Sequence, residues 1–210
     1  MLHTEAIEAS TLELIKSLQS KEYLKGFYLV GGTALALYLG HRRSIDIDLF
    51  SNFAFDASAL LENIHQDFKF QVSFTASNTL KGSILDTKVD ILAHRYEYLN
   101  TPKNLDGISL SSEQDIIAMK LNAISTSGQR SKDFIDIYYL LNKFKISDML
   151  GFYKRKYKQE NDSAIVKSLI YFDDVDLSDW PILQLNPKLK WSEVKRKIDK
   201  VVLHYVNQAL

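Results

Sequence analysis

Two aspartates, Asp46 and Asp48, alternate with apolar residues in the segment 44–50. The alternation predicts a half-buried strand whose isoleucines and leucine face the core, while Ser44 and both aspartates face away from it. Residues two apart on a strand leave the same face about 6.6 Å apart along the chain. Two unpaired carboxylates on one exposed face repel each other, so a divalent cation is a suitable partner. The pair therefore predicts a cation-binding strand.

A glycine pair precedes that strand in the chain. Gly31 and Gly32 follow an apolar, β-prone run at 27–30 and precede a helical run at 33–39. Glycine permits a positive φ and a close approach of the backbone to a ligand. The free N–H groups at a helix N-terminus bind phosphate, and the hydroxyl of Thr33 adds another donor. This turn predicts a phosphate-binding site.

A third carboxylate, Asp90, lies in the strand-like run 88–92. If this strand lies beside the one that carries Asp46 and Asp48, three carboxylates converge with the hard-oxygen character that Mg²⁺ prefers. Each feature alone is more often structural: a solvated strand face, a surface aspartate or an ordinary turn. Their order and spacing together favour a catalytic site.

Strands and helices mix in the first half of the sequence, and helices fill the second half. Asp56 is placed to cap a helix that ends near Phe68, and three strand-like runs follow at 70–74, 80–85 and 88–92. The segment 100–107 is the best linker candidate, and the helices after it begin at serine caps. We expect an α+β domain at residues 1–105 and a helical domain at residues 106–210.

The composition narrows the possible functions. Lys and Arg number 26 and Asp and Glu number 26, so the formal net charge is zero and a uniformly basic nucleic-acid coat is excluded. The absence of cysteine excludes disulfides, zinc ribbons, Fe–S clusters and thiol nucleophiles. It also fits a reducing cytosol, so we expect a cytoplasmic protein. The longest apolar run, 34–39, is far too short for a membrane helix, and no membrane partner is expected.

The order of these motifs resembles the nucleotidyltransferase superfamily. More narrowly, it resembles the AbiEii/AbiGii-type toxin nucleotidyltransferases, long treated as a domain of unknown function. The resemblance is carried by residues 31–36, 41–50, 115–120, 130–138 and 171–174. It covers most of the chain between residues 27 and 176. It implies a nucleotidyltransferase-like mixed β-sheet with flanking helices, followed by a C-terminal helical region that completes the active-site cleft.

The resemblance also implies roles for individual residues. Asp46, Asp48 and Asp90 would bind metal and act in catalysis, together with Lys120 and Asp133. Nucleotide binding would involve Gly31, Gly32, Thr33, Arg42, Ser44, Lys120 and Asp136. Two Mg²⁺ ions would act on a nucleoside triphosphate, and Asp90, or Asp133 in its place, would deprotonate the acceptor hydroxyl. Attack on the α-phosphate would then expel pyrophosphate.

Relatives of this type are toxins of type IV toxin–antitoxin or phage-defence (abortive infection) systems, and some transfer nucleotides to tRNA. A cognate antitoxin is therefore an expected partner, with tRNA or another RNA as the expected acceptor. The sequence adds basic runs at 153–158 and around Trp191, where lysines and arginines suit phosphates and aromatic rings suit bases. Each run alone also fits a solvated helix face.

Other interpretations remain open from the residues alone. Lys120 could extend along its helix to solvent. Asp133 could offset a helix dipole, and Asp136 could pair with Lys132 or Lys143. A non-catalytic nucleotide- or partner-binding module with the same fold is the alternative to an enzyme, although the intact pair Asp46 and Asp48 disfavours it. The acceptor could also be a protein or a small molecule, and the nucleotide is undetermined.

Overall fold

A computed structural model describes residues 1–209 of the chain. The chain forms two compact units. The first unit comprises Met1–Gly40 and Ser44–Ser112, and the second comprises His41–Arg43 and Glu113–Leu210. The three residues 41–43 thus belong to the second unit although the chain on both sides of them belongs to the first.

The first unit is built on a seven-stranded mixed sheet with the strand order β3-β4-β5-β2-β1-β7-β6. The strands are β1 (Tyr28–Leu29), β2 (Ile47–Ser51), β3 (Phe70–Ala76), β4 (Thr79–Ile84), β5 (Thr87–Ala93), β6 (Lys103–Leu105) and β7 (Ile108–Leu110). β2 pairs with β5, and β1 with β7, in parallel; the other neighbours are antiparallel. The expected mixed sheet is confirmed.

Helices of the first unit are α1 (Ala9–Gln19), α2 (Gly31–Leu39) and α3 (Ala57–Asp67), with 3-10 turns at Thr4–Ala6 and Glu22–Leu24. Asp56 caps α3 as its position in the sequence predicts. Its Oδ1 accepts hydrogen bonds from the backbone N–H of Ser58 at 2.8 Å and of Ala59 at 3.2 Å. These bonds satisfy N–H groups that have no partner within the helix.

The second unit is helical, as the sequence predicts. Its helices are α4 (Glu113–Thr126), α5 (Ser131–Leu140), α6 (Ile146–Tyr157), α7 (Ser163–Leu169) and α8 (Trp191–Ala209). The short segment 41–43 joins this unit through backbone hydrogen bonds. Arg43 N–H donates to Ile182 O at 2.8 Å, and Gln184 N–H donates to His41 O at 2.9 Å.

Three local expectations from the sequence are wrong. The helices α5, α6 and α7 do not begin at serine caps, because their N-cap residues are Arg130, Lys145 and Asp162 and none of these side chains makes a capping hydrogen bond. The strand expected at 44–50 begins only at Ile47, and Ile45, expected on the buried face, is 59% exposed. The expected linker at 100–107 instead contains β6 and an Asp106–Gly107 turn, both residues having positive φ. An Asp-Gly pair between two short strands is a strong hairpin signal. The polar residues around this pair favoured the prediction of a linker instead.

The sheet is tightly packed around Gly82 in β4. A Cβ at this position would lie 2.2 Å from the backbone oxygen of Gln71 and 2.6 Å from the ring of Phe70. Since the backbone of β3 must shift to admit it, Gly82→Ala should lower the free energy of unfolding by about 2 kcal/mol. Chemical denaturation measures this change.

Gly151, in α6, provides the matched control, because a Cβ there meets nothing within 4 Å. Gly151→Ala should be neutral or should stabilise the chain by up to about 1 kcal/mol, since alanine favours a helix more than glycine does. Equal effects of the two substitutions would contradict this account of the packing around Gly82.

Candidate active site and a buried charge network

Asp48 and Asp90 occupy matching positions on neighbouring parallel strands. Asp48 in β2 is the register partner of Asp90 in β5. Register partners in adjacent strands, about 4.8 Å apart, project from the same face of the sheet. The strands β2 and β5 are therefore neighbours, as the predicted convergence of the carboxylates requires.

The Asp48 carboxylate packs directly against the first residue of α2. Gly31 has a φ of +69°, and a Cβ on it would lie 2.3 Å from Asp48 Oδ2. Only glycine combines this backbone conformation with this proximity. The contact places a carboxylate at a helix N-terminus, where the helix dipole favours negative charge. Val30 N–H also donates to the backbone oxygen of Asp48 at 2.9 Å, which ties the end of β1 to β2.

Thr33 holds the chain that precedes β2. Its buried hydroxyl donates to the backbone oxygen of Asp46 and shares a 2.9 Å hydrogen bond with Ser44 Oγ. The expected phosphate donor is thus bonded within the protein. Thr33 and Ser44 set the backbone position of Asp46, which precedes the strand rather than lying on it.

Asp90 is nearly buried, with 6% of its surface exposed. Its Oδ2 lies 3.1 Å from Lys88 Nζ and 3.6 Å from Lys81 Nζ. Its Oδ1 is buried and has no hydrogen-bond partner. An unpartnered buried carboxylate oxygen is costly and marks a position suited to a ligand, a cation or a reacting proton.

The residues present fit a metal ion that substrate helps to coordinate. Within residues 1–209, no group of three or more His, Cys, Asp and Glu side chains is arranged to hold a metal ion. Mg²⁺ is commonly held by one or two carboxylates together with waters and substrate phosphates. Asp48, together with the unpartnered oxygen of Asp90, supplies two such carboxylates.

A second cluster lies in the second unit around Asp136, which is completely buried. Arg42 binds this carboxylate with two hydrogen bonds, Nε to Oδ1 at 2.7 Å and Nη2 to Oδ2 at 3.1 Å. His41 Nε2 donates to Oδ1 at 2.7 Å. Lys120 Nζ lies 2.8 Å from Asp136 Oδ2 and 2.6 Å from Asp133 Oδ1. We call these five residues the Asp136 network.

The Asp136 network is electrically balanced when His41 is neutral. Burial lowers the pKa of His41, opposed by Asp136 and reinforced by Arg42 and Lys120. Burial tends to raise the pKa of Asp136, but Arg42 and Lys120 hold it well below its usual range. The two cations therefore face the ionised carboxylate of Asp136, and Lys120 also pairs with Asp133. The Nδ1 atom of His41 is buried without a partner, which fits a neutral ring protonated at Nε2.

The structure thus brings together four residues to which the family resemblance gave roles in the active site: Arg42 and Asp136 in nucleotide binding, Asp133 in catalysis, and Lys120 in both. It places all of them in a buried ion-pair network. Lys120 does not extend to solvent, and Lys132 and Lys143, the partners considered for Asp136, pair with Asp179 and Glu113. His41 was not among the predicted site residues, although it is the sequence neighbour of Arg42.

The basic runs are partly structural. Lys156, in the run 153–158, is fully buried and its Nζ lies 2.7 Å from Asp115 Oδ1. Lys197 donates to Tyr138 O at 2.9 Å and to Asn142 Oδ1 at 2.6 Å. Trp191 packs against the rings of Phe134, Phe172 and Trp180 and is no free stacking platform. The exposed basic residues in these runs are Arg155, Lys158, Lys188, Lys190, Arg196 and Lys200.

The Asp136 network predicts a pH dependence of stability. Since the pKa of His41 is lowered on folding, the unfolded chain takes up a proton at about pH 6.5 that the folded chain excludes. The stability that His41 contributes is complete above that pH and is lost as the pH falls below it, by up to about 1.4 kcal/mol per pH unit. His41→Gln should show a shallower loss of unfolding free energy between about pH 6.5 and pH 5. Denaturation at each pH measures this free energy. An equal change with pH in the wild type and in His41→Gln would contradict a neutral buried ring.

Within residues 1–209, no helix has both the length and the apolar character needed to cross a membrane.

Comparisons with known proteins identify the family. The sequence model of the nucleotidyl transferase AbiEii toxin family, type IV TA system, matches residues 14–206. An uncharacterized protein of Aquifex aeolicus (strain VF5) is 34% identical over 168 residues, which cover 77% of this chain and 81% of that protein.

Solved structures share the fold. JHP933 from Helicobacter pylori aligns with a TM-score of 0.56 at 17% identity, covering 96% of this chain and 94% of that one. MenT4, a nucleotidyltransferase toxin from Mycobacterium tuberculosis H37Rv, aligns with a TM-score of 0.56 at 14% identity, covering 93% and 86%. The antibiotic-resistance factor ANT(2'')-Ia aligns with a TM-score of 0.54 at 17% identity, covering 76% and 94%. The expected nucleotidyltransferase fold and enzyme class are confirmed, and the chain belongs to the nucleotidyl transferase AbiEii toxin family.

Proposed function

We propose that the chain transfers a nucleotide from a nucleoside triphosphate to an RNA, with tRNA as the first candidate acceptor and Mg²⁺ as the cofactor. It would do so in the cytoplasm as the toxin of a type IV toxin–antitoxin or phage-defence system, with a cognate antitoxin as partner. Family membership supports the enzyme class. The register pairing of Asp48 with Asp90, beside the glycine that opens α2, is the observation that carries the proposal.

The first unit would supply the groups that bind the metal and the triphosphate. Asp48 and Asp90 would hold the metal with Asp46 in support, and the metal would neutralise phosphate charge and orient the triphosphate. The backbone of Gly31 and Gly32 would bind phosphate oxygens at the N-terminus of α2. Thr33 and Ser44 would act indirectly, through the backbone position that they fix.

Asp90 is the better of the two candidates for the proton acceptor. Asp133 is 3% exposed, and its Oδ1 is bound by Lys120 at 2.6 Å. Asp90 instead lies beside Asp48, its register partner on the neighbouring strand. A general base must lie within reach of the proton that it accepts, so the carboxylate beside Asp48 is the better placed of the two. Asp133, Asp136, Arg42 and Lys120 would then serve the fold of the second unit.

The RNA acceptor is supported by the exposed basic residues of the second unit. Arg155 and Lys158 are exposed around the end of α6, and Arg196 and Lys200 are exposed on α8. Such side chains bind a phosphate backbone without reading its sequence. The non-catalytic alternative rests on a different observation, namely that Lys81 and Lys88 already offset the charge of Asp90.

A labelling assay separates these functions. The protein is incubated with Mg²⁺, total tRNA and each of the four nucleoside triphosphates labelled at the α-phosphate. The wild type should label RNA, and Asp48→Asn should reduce the rate by on the order of 100-fold or more because the metal loses a carboxylate. Asp106→Asn, in the exposed β6–β7 turn, is the matched control and should retain full activity.

Two further results would change the assignment. Absence of transfer to RNA, protein or small molecules with every nucleotide, from folded wild-type protein, would exclude the enzyme and leave the binding module. Label that appears in protein or in a small molecule rather than in RNA would show that RNA is not the acceptor. In cells, growth arrest on expression should disappear with Asp46→Ala or Asp48→Asn, whereas the binding-module hypothesis predicts no such dependence.

A further inference from the structure

Two lysines stand on the same face of the sheet as the two paired carboxylates. Lys81 in β4 is the register partner of Asp90, and Asp90 in turn is the register partner of Asp48. Lys88 precedes Asp90 by two residues on β5 and therefore projects from the same face. A row of charged side chains thus crosses three neighbouring strands, with the two cations beside one of its anions.

Both lysines contact the same side of the Asp90 carboxylate. Both ammonium groups approach the same oxygen, Oδ2, at 3.1 Å and 3.6 Å, while Oδ1 has no partner. With Asp48, the register partner of Asp90, the row holds two cations and two anions, but both cations approach a single oxygen of one anion. Two like charges that share one oxygen also repel each other, which an additional anion would relieve.

The exposure of the three side chains indicates where such an anion would bind. The Lys88 side chain is 57% exposed and the Lys81 side chain 38% exposed, whereas the Asp90 side chain is 8% exposed. Ion pairs of exposed lysines contribute little to stability, so these two pairs are weak as stabilising contacts. Each ammonium group has three donors and can bind another oxygen while it stays beside Asp90.

We propose that Lys81 and Lys88, positioned by Asp90 Oδ2, form a phosphate-binding pair beside Asp48 that receives a phosphate group of the substrate. The proposal rests on the nucleotidyltransferase function proposed above. It assigns separate roles to the two oxygens of Asp90: Oδ2 orients the lysines, and Oδ1 stays available to the reaction. The phosphate belongs either to the triphosphate of the nucleotide or to the backbone of the acceptor RNA.

Binding measured without metal tests the pair independently of catalysis. In EDTA, inorganic tripolyphosphate is titrated by calorimetry and a labelled single-stranded RNA oligonucleotide by fluorescence anisotropy. The double variant Lys81→Met/Lys88→Met should raise the Kd of at least one probe by about tenfold, because charge-assisted hydrogen bonds to phosphate are lost. If that probe is the RNA, the slope of log K against log salt should become shallower by about 1.4 for two lost contacts.

Matched variants separate this effect from general charge and from folding. Lys81→Arg/Lys88→Arg keeps both charges and should bind within about threefold of the wild type, since arginine also binds phosphate. Lys103→Met removes an exposed lysine from β6, at one edge of the sheet, and should change neither Kd. Should the double methionine variant fail to fold, the single variants Lys81→Met and Lys88→Met take its place, with a weaker effect in the same direction.

Each outcome decides the proposal. Loss of tripolyphosphate binding alone assigns the pair to the nucleotide, and loss of RNA binding alone assigns it to the acceptor backbone. Unchanged affinities in the methionine variants, an equal loss in Lys103→Met, or a wild type that binds neither probe would each overturn it. A wild type that binds phosphate through these lysines but transfers no nucleotide would leave the pair standing and overturn the proposed function instead.

Discussion

The parallel pairing of β2 with β5 is the constraint on which the candidate site depends. A register shift of one residue would turn every side chain of one strand to the opposite face of the sheet. Four apolar residues prevent this shift: Ile47 and Leu49 on β2, and Val89 and Ile91 on β5, are all completely buried. Because these residues face the core, Asp48 and Asp90 between them must share the other face. The hydrophobic core thus determines the position of the two carboxylates.

Charge is compensated differently in the two units. In the Asp136 network two cations and two carboxylates are nearly or fully buried, and each charge has an opposite charge within 3 Å. Removing one member of such a network leaves an unpaired buried charge, which commonly costs about 3–5 kcal/mol. Beside Asp48, by contrast, the half-buried Lys81 and the exposed Lys88 contact a buried carboxylate, and its second oxygen has no partner. The first arrangement is suited to holding helices together, and the second is suited to exchanging partners with a ligand.

Much of the fold could be predicted from local patterns. The cap at Asp56, the strands on both sides of the β4–β5 connection and the helical second half follow from side-chain chemistry and periodicity. The hairpin around Asp106 and Gly107 was missed because its strands are only three residues long each and are polar in part. The exposure of Ile45 could not be predicted either, since alternation along the sequence does not show where a strand begins.

The sequence by itself determined which residue types occur in which order: a glycine pair before a helix, two aspartates two apart, and a later aspartate on a strand. That order, together with the later stretches at 115–120 and 130–138, is similar enough to a known family to predict membership of it. Only the tertiary structure decided the partners. Arg42 and Asp136 are 94 residues apart in the chain, yet they form a bidentate ion pair. Lys81 and Asp90 meet because antiparallel strands align them. Periodicity predicts the face from which a side chain projects. The residue that it contacts there is determined by how whole helices and strands pack together.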